Sequence, residues 1–238
     1  MIKLFHLFKS EIIRLIKYKI FFFGLLVSII WAVIIALADV QSVVGLVPYL
    51  VLMDTGMMSI ILLAASFYYE KQEGTMQSML VTPVRLSTIL LIKVAAMVFM
   101  GIVSFVVVVG TALVFHDFDI RILPFLGACM LAVLAHTAIG YVLTLHSKDF
   151  LSLLVKYMGV ALLFFAPTLL VALGVFSGDW ELLGLLSPTY AAQKLFAMAL
   201  GEIDQATLWI SVTYLALIPA LLYPFVILTR YEIVAMEG

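Results

Sequence analysis

The sequence predicts an all-α membrane protein with six transmembrane helices, and three observations carry that expectation. Of 238 residues, 66% are apolar and only 11% charged, with a mean hydropathy of +1.25; an ordinary soluble domain carries about 25% charged residues. A chain so poor in polar groups cannot cover a water-facing surface, so its solvent is lipid. In lipid every backbone N–H and C=O must be satisfied internally, by helices or by a closed barrel. The apolar runs are continuous over about 20 residues and do not alternate residue by residue, which selects helices.

Residues 1–19 read as an amphipathic helix, with Phe5, Phe8, Ile12, Leu15 and Ile16 on one face and Lys3, His6, Ser10, Arg14 and Lys17 on the other. That pattern fits a helix lying in the membrane interface. Spans are expected near 20–38, 46–67, 89–115, 122–145, 150–176 and 207–228. The first ends in Ala36-Leu37-Ala38, a small-x-small triplet like a signal-peptidase site, but its apolar core exceeds the 7–15 residues of a signal peptide, so it reads as a retained span. Residues 180–200 are only moderately apolar and contain Glu181, Pro188 and Lys194, which suits a short re-entrant or surface helical element. Pro48, Pro167 and Pro224 are expected to kink spans two, five and six, and Gly101, Gly110, Gly127, Gly140, Gly159 and Gly174 to permit close helix contact.

Lys and Arg usage orients the chain. With the N-terminus inside, eleven basic residues fall on the cytoplasmic side and only Arg121 and Lys194 outside, which also favours an even number of spans and a cytoplasmic C-terminus. The outer connections carry acids, namely Asp39, Asp117, Asp119, Asp179, Glu181, Glu202 and Asp204. Net charge of −1 gives no reason to expect nucleic acid, and the single Cys129 permits no intrachain disulfide. There is no phosphate-cradling GxxxxGK[ST], no HExxH, no GxSxG and no Cys/His cluster, so no ATP site, metal site or catalytic residue is expected in the chain.

The most informative segment runs from Tyr68 to Lys93, YYEKQEGTMQSMLVTPVRLSTILLIK. Span two leaves the membrane at Glu70 and Glu73, and Gly74 then permits a sharp break. Thr75 is placed to cap a new short helix, on which Met76, Met79 and Leu80 form one apolar face. Pro83 ends it, and Arg85 and Lys93 flank the return into the membrane. An amphipathic helix with nothing in its own loop to bury against reads as a knob for a partner's groove.

These residues resemble the permease subunit of ABC-2-type transporters. The shared features are an acidic residue, Glu73-Gly74-Thr75, a short helix, then Thr82-Pro83 and a basic residue. Leu186-Ser187-Pro188-Thr189-Tyr190 resembles the Pro-containing turn of that family's outer element, and the likeness spans essentially the whole chain as one transmembrane domain, 1–238. The resemblance implies that residues 74–83 are the coupling helix, docking into a separate ATPase. It assigns coupling to Glu70, Glu73, Gly74, Thr75, Met76, Met79 and Leu80, with Pro83 and Arg85 shaping the exit. Two ATPase subunits, which alone bind ATP and Mg, and a second permease copy or paralogue are the implied partners, in a prokaryotic inner membrane. The short outer loops are similar to the compact branch annotated for fluoroquinolone and other drug export.

Within the membrane, Asp54 in span two and His136 in span four are the candidate residues of a translocation path. A charge at mid-bilayer costs at least about 2.5–3.5 kcal/mol and so should face a cavity or a partner. A structural hydrogen bond would explain either residue as well, and Lys93 and Lys156 are expected to snorkel to the headgroups. The leading reading is a permease that exports hydrophobic or amphipathic small molecules. A secondary carrier or channel, and a non-transporting anchor or assembly factor, are the alternatives; co-purification of an ATPase separates them.

Overall fold

The computed structural model describes residues 2–116, 120–176, 180–201 and 204–237. Asp117, Asp119, Asp179 and Glu202 lie outside the described residues, as do the side chains of Lys3, Leu80 and Glu181. Helices run α1 (Ile2–Lys17), α2 (Ile20–Leu37), α3 (Val40–Val51), α4 (Met58–Gln72), α5 (Thr75–Leu80), α6 (Leu86–Phe115), α7 (Ile122–Leu145), α8 (Phe150–Ala172), α9 (Trp180–Gly184), α10 (Pro188–Ala199), α11 (Gln205–Leu222) and α12 (Leu228–Glu237). A π-helical stretch, Leu52–Met57, joins α3 to α4, and another, Tyr223–Ile227, joins α11 to α12. Among the described residues six segments are long and apolar enough to cross a membrane: Ile20–Leu37, Val43–Gln72, Leu86–Phe115, Ile122–Leu145, Phe150–Ala172 and Gln205–Met236.

The spans are not equivalent. In its most apolar stretch the Val43–Gln72 segment is 78% buried and Phe150–Ala172 only 6%, so the former is the axis of the bundle and α8 is its rim. Helix α7 can sit against that axis because its inward face is small: Ala128, Cys129, Ala132, Ala135, Ala138 and Gly140 are all buried. Small residues substitute for the hydrophobic driving force that lipid removes. At Gly140 an added Cβ would stand 3.1 Å from the Ile60 Cα, and at Gly101 2.8 Å from a Val133 methyl. Gly110, Gly127 and Gly159 have open space around them, so close packing explains only two of the six small residues expected to serve it; Gly174 instead takes the left-handed conformation (φ 71°) just past α8.

Two apolar clusters fill the bundle. One, at the α5 end, holds Leu15, Leu63, Phe67, Tyr141 and Tyr231. The other, at the far end, is centred on a run of rings in which Phe125 lies 5.3 Å from Phe105 and 4.9 Å from Phe196. Side chains close the helix starts: Asp149 accepts from the Ser152 amide at 2.7 Å, and Asp204 from the Thr207 amide at 2.8 Å.

Helix α1 departs from the expected amphipathic division. Phe5 and Ile16 are exposed, and the buried row is Glu11, Leu15 and Tyr18. Arg14, assigned to the basic face, turns inward because an acid waits there. Helix α10 is also more buried than a surface helix: Thr189, Tyr190, Ala191, Ala192, Leu195 and Phe196 are all inside.

Gly140→Val should destabilise the chain by about 1–3 kcal/mol through overpacking against backbone, whereas Gly127→Val, in open space, should leave melting unchanged. Thermal unfolding in detergent checks both, and equal behaviour of the two variants contradicts the packing.

Candidate functional site

The α5 end is built on charge. Glu11 of α1, Glu70 near the end of α4 and Lys93 of α6 are almost wholly buried, at 1%, 0% and 4% exposure. Lys93 Nζ donates to Glu11 Oε1 at 3.0 Å and also to Glu70 Oε1. Arg14 pairs with Glu11, and its Nη1 stands 3.4 Å from Glu70 Oε1. Two acids and two bases thus close one neutral cluster that ties α1, α4 and α6 together. Burying such charges is tolerable only when each is paired, and removing one partner of a buried pair typically costs about 3–5 kcal/mol. A cavity of about 10 Å³, the size of one water, lies beside Glu70, Ser66 and Tyr141. Lys93 was expected to reach the headgroups; two buried carboxylates hold it inside instead.

From this cluster the chain turns into α5. Glu73 ends α4, and Gly74 takes the left-handed conformation (φ 66°) that an L side chain rarely adopts. Thr75 is the first helical residue and not a cap: its hydroxyl donates back to the Glu70 carbonyl at 3.1 Å, fastening α5 to the charged cluster. Glu73 is fixed from α1's end, accepting from the Tyr18 hydroxyl at 2.6 Å and from Lys17 Nζ at 3.0 Å. Those two contacts, the Tyr18 hydrogen bond first, hold the Glu73 carboxyl below its ordinary range. Burial and that same bond push the Tyr18 hydroxyl up.

The apolar face expected to await a partner is partly used within the chain. Met76 is 2% exposed and belongs to the core, on a helix packed against both α4 and α12. Met79 is half-buried, its sulfur 4.0 Å from Arg14 Nη1. The free surface is the other side of the knob: Gln77, Ser78, Thr82, Pro83 and Arg85 are exposed, and Val81 is 86% exposed.

Asp54 lies within the π-helical stretch and His136 packs beside it at Gly56, each with its own partners. Asp54, 5% exposed, accepts at Oδ2 from the Ser28 hydroxyl of α2 at 2.6 Å and from the Ser104 hydroxyl of α6. It faces a cavity of about 20 Å³ whose walls do not include His136. His136, wholly buried, has Nδ1 2.7 Å from the Ala132 carbonyl and Nε2 3.2 Å from the Thr189 hydroxyl. A carbonyl only accepts, so Nδ1 carries the proton and Nε2 accepts from Thr189. His136 thereby pins the start of α10. Pro188 opens that helix, the Ser187 hydroxyl accepts from the Tyr190 amide at 3.3 Å and donates to the Phe164 carbonyl at 2.5 Å, and the Tyr190 ring packs on Gly184.

A separate apolar groove of about 480 Å³ lies between α2, the π-helical stretch with the start of α4, and α8. Trp31, Met53, Met57, Tyr157, Met158 and Phe165 are among its walls.

Sequence reasoning missed Glu11 and the buried pairing of Lys93. A signal was available: Glu11 is the only acid in residues 1–19 and stands on the helical row of Leu7 and Leu15.

Lys93→Met should cost about 3–5 kcal/mol of stability, and adding Glu70→Gln should recover part of it; a double variant that melts no higher than the single one contradicts the cluster. Glu73 gives a pH signature. Its folded pKa lies below the unfolded value of about 4.3, so its contribution is full above that value and is lost as pH falls through the folded one. The melting difference between the wild type and Glu73→Gln should therefore be constant at neutral pH and shrink progressively in acid; a difference that does not shrink on acidification contradicts the assignment.

Comparison with curated proteins finds no match. The family model for ABC-2 family transporter proteins matches residues 39–228, which includes Asp54, α5 and α10. With most of its length matched and six helices fit to cross a bilayer, the chain belongs to the ABC-2 transporter family and is a multi-pass membrane protein.

Proposed function

We propose that the chain is the permease subunit of an ATP-driven exporter, with α5 as the helix on which a separate ATPase acts. The observation that carries this reading is the construction of α5: a short helix on a left-handed glycine, riveted at its root to a buried charge cluster, with one face spent on the core and the other exposed. A push on the exposed face would pass through Thr75 and Glu70 to Lys93 on α6 and to Glu11 on α1, reaching three helices at once. A mobile loop could not transmit such a force; a helix anchored by paired charges can.

In this reading two ATPase subunits bind ATP and Mg and dock on α5 from the cytoplasm. A second copy or a related permease completes the pathway, and both termini are cytoplasmic in a prokaryotic inner membrane. Spans one, two and five rearrange between inward- and outward-facing states. The groove walled by Trp31, Met57, Met158 and Phe165 suits hydrophobic or amphipathic small molecules of drug size, because methionine and aromatic walls adapt to irregular greasy shapes. Asp54 belongs to the same π-helical stretch as the groove residues Met53 and Met57, and the compact outer connections fit the drug-export branch. Among the described residues nothing is arranged to hold a metal through three or more His, Cys, Asp or Glu side chains.

Val81→Asp should abolish partner-dependent ATPase stimulation, by about tenfold or more, with melting of the isolated chain unchanged, since Val81 touches little of its own protein. Gly74→Val should impair both coupling and folding of the turn, because its conformation is costly for any β-branched residue. Co-purified ATPase activity reads both. Full stimulation in Val81→Asp overturns the docking face.

A further inference from the structure

We propose that the cavity beside Asp54 binds one small monovalent cation, either a free alkali ion or the terminal ammonium of an amphipathic molecule. The cavity lies between α2, the π-helical stretch and α6, and its polar walls are Asp54 with the hydroxyls of Ser28, Thr55, Ser59 and Ser104. Each hydroxyl has one hydrogen to give, and all four are committed within the protein. Ser28 and Ser104 donate to Asp54 Oδ2, Thr55 to the Val51 carbonyl at 2.7 Å and Ser59 to the Gly56 carbonyl at 2.5 Å. What these groups have left to offer is lone pairs. An enclosed space that presents only acceptors repels anions and favours a cation or a cationic donor.

Charge sets the valence. The buried carboxylates of Glu11 and Glu70 are already neutralised by Arg14 and Lys93. Among the described residues no basic side chain pairs with Asp54. One positive charge neutralises this site; a divalent ion would leave a net charge buried in lipid, the costly condition the binding would otherwise relieve. Size sets the reach: about 20 Å³ admits one water-sized group, so a larger molecule can present only its cationic end. Phe21, Met97 and Met100 are among the apolar walls, where the carbon next to an ammonium would rest. The π-helical geometry at Asp54 itself is of a kind that recurs at functional positions. This inference stands on the cavity and holds whether or not an ATPase drives the chain.

The test is the melting temperature of the purified full chain in detergent at constant ionic strength, in sodium chloride, methylammonium chloride or N-methyl-D-glucamine chloride. One of the two small cations at about 100 mM should raise the wild-type melting point by roughly 2–4 °C over the bulky one. The shift should disappear in Asp54→Asn and shrink in Ser104→Ala. A response to sodium alone assigns a bulk ion, and a response to methylammonium alone assigns an ammonium group. Equal melting in all three salts, or an undiminished shift in Asp54→Asn, overturns the site. Should Asp54→Asn fail to fold, Ser104→Ala decides, and an unchanged shift there also overturns it.

Discussion

A lysine that cannot leave the protein organises one end of this molecule. Lys93 lies on α6, yet its ammonium is shared between a carboxylate of α1 and a carboxylate of α4, with Arg14 completing the balance. In a low-dielectric surrounding such a group is costly unless every charge has a partner. The helices carrying these charges are therefore constrained to move together or to break a costly contact. Helix α5 is tied to the backbone of Glu70 through Thr75, and Glu73 at its root is held separately by Lys17. Its anchorage comes from electrostatics at its root as much as from the packing of Met76.

The fold was legible in the sequence because lipid leaves so few choices. Continuous apolar runs of spanning length can only be helices, and six appear among the described residues. The break at Gly74 was legible for a local reason too, since a single residue's conformational freedom decides it. The charge cluster was not, because Glu11 and Lys93 are 82 residues apart and their pairing is a property of the packed bundle. Read alone, Lys93 near a span end is a snorkelling lysine. Met76 misled for the same reason: an apolar face on a short helix is available to a partner only if the chain's own core does not bury it, and Met76 is part of that core.

The two intramembrane polar residues illustrate a further limit. Periodicity and depth single out Asp54 and His136 alike. Their neighbours separate them: His136 has both ring nitrogens engaged and fastens α10, while Asp54 looks onto a small cavity and has no countercharge among the described residues. Hydrogen-bond saturation, which no sequence pattern reports, distinguishes a structural polar group from one with capacity to spare. The π-helical stretches were equally hidden, since a single extra residue in a turn leaves the hydropathy profile unchanged.

The central claim is that the exposed face of α5 meets a nucleotide-binding protein. The most direct measurement is photocrosslinking in native membranes from a benzophenone side chain placed at Gln77, followed by mass spectrometry of the adduct. The account predicts a protein adduct whose sequence contains a phosphate-binding GxxxxGK[ST] loop, lost when the reporter is moved to the buried Met76 position. Adducts to lipid alone from Gln77 would contradict it.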